Sequence, residues 1–273
     1  MKKLIVVADW ASDLLTCQEF KSVVEGYVKN PENINISFVS VTPSTIHTGY
    51  VLNQIIHTEE RLGRPQETII IQNTDPRLQN TENVVDSKGA EFIITKLFNG
   101  IYVCGPNAGF DFSFIKNSIE NIYLYPNLNK GSQFRSRDLY SRVCSHLMDE
   151  LEDELELEET HSNIIPVIQE HFIGHIDNFG NIKTTILNSE FKGKKKFGDI
   201  ITIKINNIIK KAKYVPGLFG GKVGELVIYP GSSGNIHELY LEISIWQHFD
   251  TKNVKTGLET FNYPKAGMTI EIF

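Results

Sequence analysis

Five short groups of residues in this 273-residue chain carry side chains able to do chemistry. Asp9 follows an apolar run, Asp75-Pro76 follows another, and Gly105-Pro106-Asn107-Ala108-Gly109 makes a turn after a later one. Ser132-Gln133-Phe134-Arg135-Ser136-Arg137-Asp138 opens a helical stretch, and Asp177-Asn178-Phe179-Gly180-Asn181 comes after a change in the hydrophobic pattern. Arg135 stays protonated, so it can hold an anion but cannot take a proton. Each group also has a plainer reading. Asp9 and Asp75 close turns after strands, Asn107 suits a turn, Arg137-Asp138 is a charge pair at a helix start, and Phe179-Gly180-Asn181 is a hairpin turn with a core aromatic.

Other chemistries are poorly supported. The segment 217–224 is as rich in glycine as a phosphate loop, but it lacks the Lys-Ser/Thr ending and a following helix, so a β-hairpin turn is expected. His171 and His175 lie in a β-like stretch broken by Gly174, with no third ligand nearby, and no metal site is expected. Eight lysines between Lys192 and Lys213 could meet nucleic acid, but only Phe197 and Tyr214 are interleaved as stacking rings, and solvated hairpins explain them better.

The groups need elements to hold them. Residues 4–7, 34–41, 67–71, 92–94 and 101–104 read as strands, with helical stretches at 14–29 and 46–61 between the early ones. Such alternation indicates an α/β domain with a largely parallel sheet and flanking helices. In these sheets ligands sit beyond the carboxyl ends of the strands, where Asp9, Asp75 and Asn107 fall. Residues 138–159 have the period and composition of one long, increasingly acidic helix. Beyond Pro166 the pattern changes to short β-rich runs separated by glycine, at 167–176, 182–187, 200–205, 213–215, 225–229, 239–246 and 269–273. These read as an all-β sandwich or barrel. The expected domains are therefore 1–163 and 164–273.

The formal charge is −6, but eight of the 33 acids lie within 149–159; elsewhere 25 acids face 27 lysines and arginines. Net charge thus describes one segment rather than a ligand. No apolar run is long enough to span a bilayer, and the opening residues turn polar too soon for a signal peptide, so a soluble cytoplasmic protein is expected. Cys17, Cys104 and Cys144 are odd in number and far apart, which suggests reduced core thiols.

The order of the five groups resembles the S-adenosylmethionine (SAM) hydroxide adenosyltransferase family, which is related to the SAM-dependent fluorinase and chlorinase. That family carries an Asp after strand one, then DPGVG-x-x-R, PDNG, S/T-F-H-G-R-D and D-x-F-G-N segments. Asp177 to Asn181 is the best single match. The resemblance implies an N-terminal α/β domain and a C-terminal antiparallel β-barrel. It also implies a homotrimer with sites between subunits, SAM or adenosine as ligand, and no separate cofactor. By the same resemblance Asp9 would hold the ribose diol, since a carboxylate can accept from two adjacent hydroxyls. Asp177 and Asn181 would meet the methionine end, Phe179 the adenine, and Ser232 with Ser233 would lie near the adenine. Asp75 would be the catalytic carboxylate that holds the attacking water.

The chain also departs from the family. The family arginine falls on Glu82, the histidine on Arg135, and the glycines after Asp75-Pro76 are replaced by Arg77-Leu78-Gln79-Asn80. Asp75 beside Arg135 would be a weak base. Ser136 stands where the halogenases place a halide-binding serine, so Arg135 and Ser136 could form an anion pocket, or the exchange could mark a site no longer selected for hydrolysis. Expected activities are SAM hydrolysis with an atypical nucleophile site, or SAM/adenosine binding without turnover.

Overall fold

The computed structural model describes residues 1–76, 89–128, 134–247 and 255–273. Glu82, Arg77-Leu78-Gln79-Asn80, Ser132 and Gln133 lie outside them. The chain divides into two compact units, Met1–Val167 and Ile168–Phe273. Among the described residues no helix is long and apolar enough to cross a membrane.

The first unit runs β1 (Lys2–Ala8), α1 (Leu14–Tyr27), β2 (Ile34–Ser40), α2 (Thr45–Leu62), β3 (Thr68–Asn73), β4 (Phe92–Leu97), β5 (Tyr102–Pro106), β6 (Ile119–Leu124), α3 (Ser141–Met148) and β7 (Glu158–Glu159). Period-2 alternation in β1 builds a core on each face of the sheet. Leu4, Val6 and Ala8 pack with Phe20 and Val24 of α1 and with Val143, Cys144 and Leu147 of α3. Ile5 and Val7 pack with Leu52 and Ile56 of α2. Asp13 caps α1 by accepting from the Leu15 amide at 3.0 Å, and Ser44 caps α2. All three cysteines are free and buried.

Among the described residues the strand order is β2-β1-β3-β5-β4-β6-β7. The first four strands are parallel, but β4 is antiparallel to both β5 and β6, and β7 to β6. The sheet is therefore mixed, not mostly parallel. Residues 98–101 join β4 to β5 as a tight reversal, with the Gly100 amide donating to Leu97 O at 2.8 Å, and a link that short cannot carry a parallel crossover.

The long acidic helix expected over 138–159 does not form. α3 ends at Met148, Glu150 and Glu156 take left-handed backbone (φ 59° and 50°), and Glu158 and Glu159 pair with Leu124 and Tyr123 as an edge strand. Carboxylates stacked at the negative end of a helix repel one another and the helix dipole, so the amphipathic pattern loses to charge. Asp149 instead accepts from the Lys29 amide at 3.0 Å.

The second unit contains β8 (Ile173–Ile176), β9 (Ile182–Leu187), β10 (Ile200–Ile205), β11 (Ile208–Tyr214), β12 (Leu226–Asn235), β13 (Glu238–Ile245), the short α4 (Gly257–Thr260) and β14 (Ile270–Ile272). Its order is β14-β10-β11-β12-β13-β9-β8. A Phe172–Thr269 bridge and the Ile173 amide donating to Met268 O at 2.8 Å bring the two ends together, so the sheet is nearly closed and barrel-like. Isoleucines 173, 182, 201, 203, 205, 228 and 243 fill it around Phe261. The barrel is also mixed, not wholly antiparallel: Lys213 and Tyr214 of β11 pair parallel with Val227 and Ile228 of β12. The glycine-rich 217–224 segment therefore links parallel strands and is not the expected hairpin turn. Its length and the turn at Leu218–Gly220 let the chain reverse twice before β12.

Candidate functional site

In the first unit Ala8 of β1 pairs with Asn73 of β3, and Ile71 of β3 with Cys104 of β5. Three neighbouring parallel strands thus end side by side, and their next residues carry Asp9, Asp75 and the 105–111 turn. The end of β3 is polar yet buried. Gln72 donates its amide to Pro106 O and accepts from the Thr74 amide at 3.2 Å, while Thr48 Oγ1 donates to Thr74 Oγ1 at 2.7 Å. These bonds satisfy groups that would otherwise be costly to bury and hold the strand ends in register.

Asp75 Oδ2 accepts from the Ala90 amide at 3.2 Å. A Cβ on Gly89 would fall 2.6 Å from Arg135 Nη1 and 2.9 Å from Asp75 Oδ2, so the guanidinium and the carboxylate flank one point in the site. Ser136 is buried and accepts from Asn73 Nδ2. It opens a π-helical turn, Ser136–Tyr140, leading into α3, a distortion often found at functional sites. Asp9, Asp75, Arg135 and Ser136 therefore lie at one end of the sheet. Trp10 and Phe134 flank them edge to face, with ring centroids 6.0 Å apart. Arg137 is tied to Asp138 at 2.6 Å and Glu19 at 3.2 Å, which suits the charge-pair reading. Asn107 donates to Ile164 O at 3.0 Å and so anchors its turn.

Burial, aided by the charge of Asp75, raises the pKa of Asp9 above the ordinary carboxylate range despite the nearby amides of Asp9 and Trp10. Asp111 goes further. It is 0% exposed, and both carboxylate oxygens are buried without a hydrogen-bond partner among the described residues. Burial chiefly, then the charges of Asp75 and Asp9, push its pKa well up; its own amide and that of Ala108 point toward the carboxyl but close no hydrogen bond. A raised folded-state pKa means that the folded chain binds more protons than the unfolded one, so stability falls as pH rises from the unfolded pKa, near 4, toward the folded value. Asp111→Asn mimics the protonated acid. It is expected to raise the unfolding midpoint at neutral pH, with the difference shrinking to nothing by about pH 4; equal midpoints at both pH values in thermal melts would refute this.

In the second unit Asp177 to Asn181 forms the β8–β9 turn. Asp177 Oδ1 accepts from the amides of Phe179 (2.9 Å) and Asn181 (3.0 Å), Oδ2 accepts from Asn181 Nδ2 (2.9 Å), and Ser244 Oγ donates to Asn181 Oδ1. Gly180, at φ 75°, permits the reversal. Phe179 is 79% exposed, so it is not a core aromatic; the turn's own hydrogen bonds hold it outward. Ser232 Oγ donates to Glu242 Oε1 at 3.1 Å and accepts from Lys183 Nζ at 3.1 Å. Glu242 also takes Lys183 Nζ at 2.9 Å, the Ser232 amide at 2.9 Å and Tyr229 OH at 3.2 Å. Lys183→Ala strands a buried carboxylate and is expected to cost about 3 to 5 kcal/mol in urea unfolding; a loss near zero would mean the pair is solvated.

His171 faces Glu190 at 3.2 Å, and burial chiefly, with Lys183 beside it, lowers the pKa of His175. Among the described residues no group of three or more His, Cys, Asp or Glu could hold a metal ion. A cavity of about 460 Å³ opens at the opposite, amino end of the first sheet, near Lys2, Thr68, Lys96 and Tyr102. Three of its polar groups are engaged within the protein: Lys2 with Glu150, Tyr102 with Glu152, and Lys96 over the Tyr102 ring. The carboxyl-end cluster, with its bare buried acid, is the stronger candidate.

Two groups escaped the reading by motif. Asp111 has a faint signal, a lone acid between Phe110 and Phe112 just after the turn, and Glu242 lies in the apolar run 239–246.

No family model matches the chain, and no curated protein matches it. Solved structures do. An uncharacterized conserved protein from Thermotoga maritima superposes with a TM-score of 0.73 at 21% identity, over 99% of this chain and 100% of that one. A conserved hypothetical protein from Thermus thermophilus gives 0.63 at 15% identity, over the full length of both. At these identities the likeness is one of fold.

Proposed function

We propose that the protein binds SAM at the carboxyl ends of β1, β3 and β5 and hydrolyses it to adenosine and methionine. The observation that carries this reading is the gathering of Asp9, Asp75, Arg135 and Ser136 at one end of the first sheet. Asp9 accepts from the two ribose hydroxyls. Asp75 and Arg135 hold water in line with the 5′ carbon, and Ser136, positioned by Asn73, adds a hydroxyl to that shell. The sulfonium leaves as a neutral thioether, so the leaving group needs little acid; placing and desolvating the nucleophile is the main task. In the homotrimer that the family resemblance implies, the second unit of a neighbouring subunit would bring the exposed ring of Phe179 to adenine as an apolar face, and Ser232 as a hydroxyl. Asp177 and Asn181 meet the methionine end, and their hydrogen bonds in the turn also hold Phe179 outward. A homotrimer goes with this reading, and light scattering that gives a monomer counts against it.

A second reading is SAM or adenosine binding without turnover, favoured by an arginine where the hydrolases keep a histidine. Purified protein incubated with SAM separates the two. Adenosine growing above a buffer blank supports the hydrolase, binding without adenosine supports the second reading, and neither binding nor adenosine removes both.

A further inference from the structure

Resting on the hydrolase reading, we propose that Asp111 is the proton acceptor of this site, taking the proton that the attacking water gives up. Arg135 cannot serve, because a guanidinium has no lone pair to offer. Asp111 is fully buried, neither of its oxygens has a hydrogen-bond partner among the described residues, and it follows the turn at the end of β5, beside the strand ends that carry Asp75 and Asp9. Its backbone is clamped in place. A Cβ on Gly49 of α2 would lie 2.6 Å from Phe110 O and 2.9 Å from Asp111 O, and one on Gly109 would lie 2.9 Å from Thr45 Oγ1. The first turns of α2 therefore hold the 109–111 segment, and the carboxyl cannot swing out to solvent.

Titratable groups on the neighbouring described elements include His47 and Lys116. His47 on α2 meets the Thr42 amide at 3.0 Å, and Lys116 in the following turn donates to Ile165 O at 2.6 Å. The charges of Asp75 and Asp9 act on Asp111, and both favour its protonated form. A bound sulfonium reverses that bias, since a nearby positive charge favours the carboxylate. Ionised Asp111 then receives one water proton as the water oxygen bonds to the 5′ carbon. The carbon–sulfur bond breaks with its electron pair going to sulfur, leaving neutral methionine thioether, adenosine and a proton that returns to solvent. A base with a proton affinity above that of an ordinary carboxylate is better matched to neutral pH.

The test is the pH profile of adenosine formation from SAM by the full chain. For the unaltered protein, kcat is expected to rise with pH to a plateau through one ionisation, which falls lower than that of Asp111 in the free protein because the bound sulfonium favours the carboxylate. Asp111→Asn is expected to lower kcat by about a hundredfold or more, to leave KM within a few-fold, and to abolish that limb. A variant that keeps the limb, or that changes KM alone, overturns the assignment to Asp111 and leaves the hydrolase reading standing. Absence of adenosine from the unaltered protein overturns both. Should Asp111→Asn fail to fold, Asp111→Glu keeps the acid but moves it, and the limb is expected to shift; an unmoved limb overturns the proposal.

Discussion

Asp9→Ala is expected to abolish measurable binding of SAM and of adenosine. The carboxylate lies just past the end of β1, half-buried, where it can accept from both hydroxyls of a ribose at once. Two charge-assisted hydrogen bonds, at about 1.5 kcal/mol or more each, amount to at least a hundredfold in the dissociation constant. The effect also has a pH signature. Burial and Asp75 raise the pKa of Asp9, so the accepting form becomes fully populated only above the usual carboxylate range. Affinity for adenosine, which carries no charge near neutrality, should rise with pH through that ionisation. Asp9→Asn keeps the shape and one acceptor oxygen, so it should bind weakly and without the pH dependence. Calorimetric titration at several pH values reads both effects, and an Asp9→Ala protein that binds as tightly as the unaltered one would sink the ribose assignment.

Gly105→Ala is expected to remove most of the stability of the first unit. Gly105 sits near the end of β5 at φ +151°, a conformation that side-chain-bearing residues rarely adopt, and a Cβ there would overlap Gln72 O. That atom is backbone in the all-buried central strand β3, so it cannot step aside without moving the strand end that carries Asn73, Thr74 and Asp75. Overpacking and backbone strain together suggest about 3 to 5 kcal/mol, a large part of the stability of an ordinary domain. Gly217 is the control. It lies in extended backbone with nothing within 4 Å of an added Cβ, so Gly217→Ala should change stability by no more than about 1 kcal/mol. Urea unfolding of the two variants beside the parent protein decides the matter, and equal midpoints for Gly105→Ala and the parent would contradict the steric account.

Much of the framework was legible because it rests on local pattern. The β-branched runs of β1 and β3 are too apolar for any but a buried strand, and the stretches that became α1 and α2 repeat at helical spacing. The shift to glycine-separated strands after Pro166 marks where the β-rich unit begins. Strand direction was less accessible. Whether β4 and β12 run with or against their neighbours depends on how the linking segments fold back, and apolar alternation reads the same in either direction. The 138–159 stretch failed for another reason: its period is helical, but repulsion among its carboxylates grows along the chain and outweighs the gain from burying Leu151 and Leu155 as a helix stripe.

The candidate site divides in the same way. Sequence alone determined that Asp9 and Asp75 come just after strands, that Arg135 introduces a permanent cation, and that Asp177 to Asn181 makes a polar turn, because each of these depends on residue type and immediate neighbours. Only the tertiary structure decided that Asp75 and Arg135 flank one point, that Asn73 reaches Ser136, and that Asp177 braces its own turn. It alone revealed Asp111 as an acid with no hydrogen-bond partner among the described residues and Glu242 as the centre of a buried network. Burial is the reason. A carboxyl's chemistry is set by the water and charges around it, and those come from segments far apart in the chain, so proton affinity cannot be read from local order.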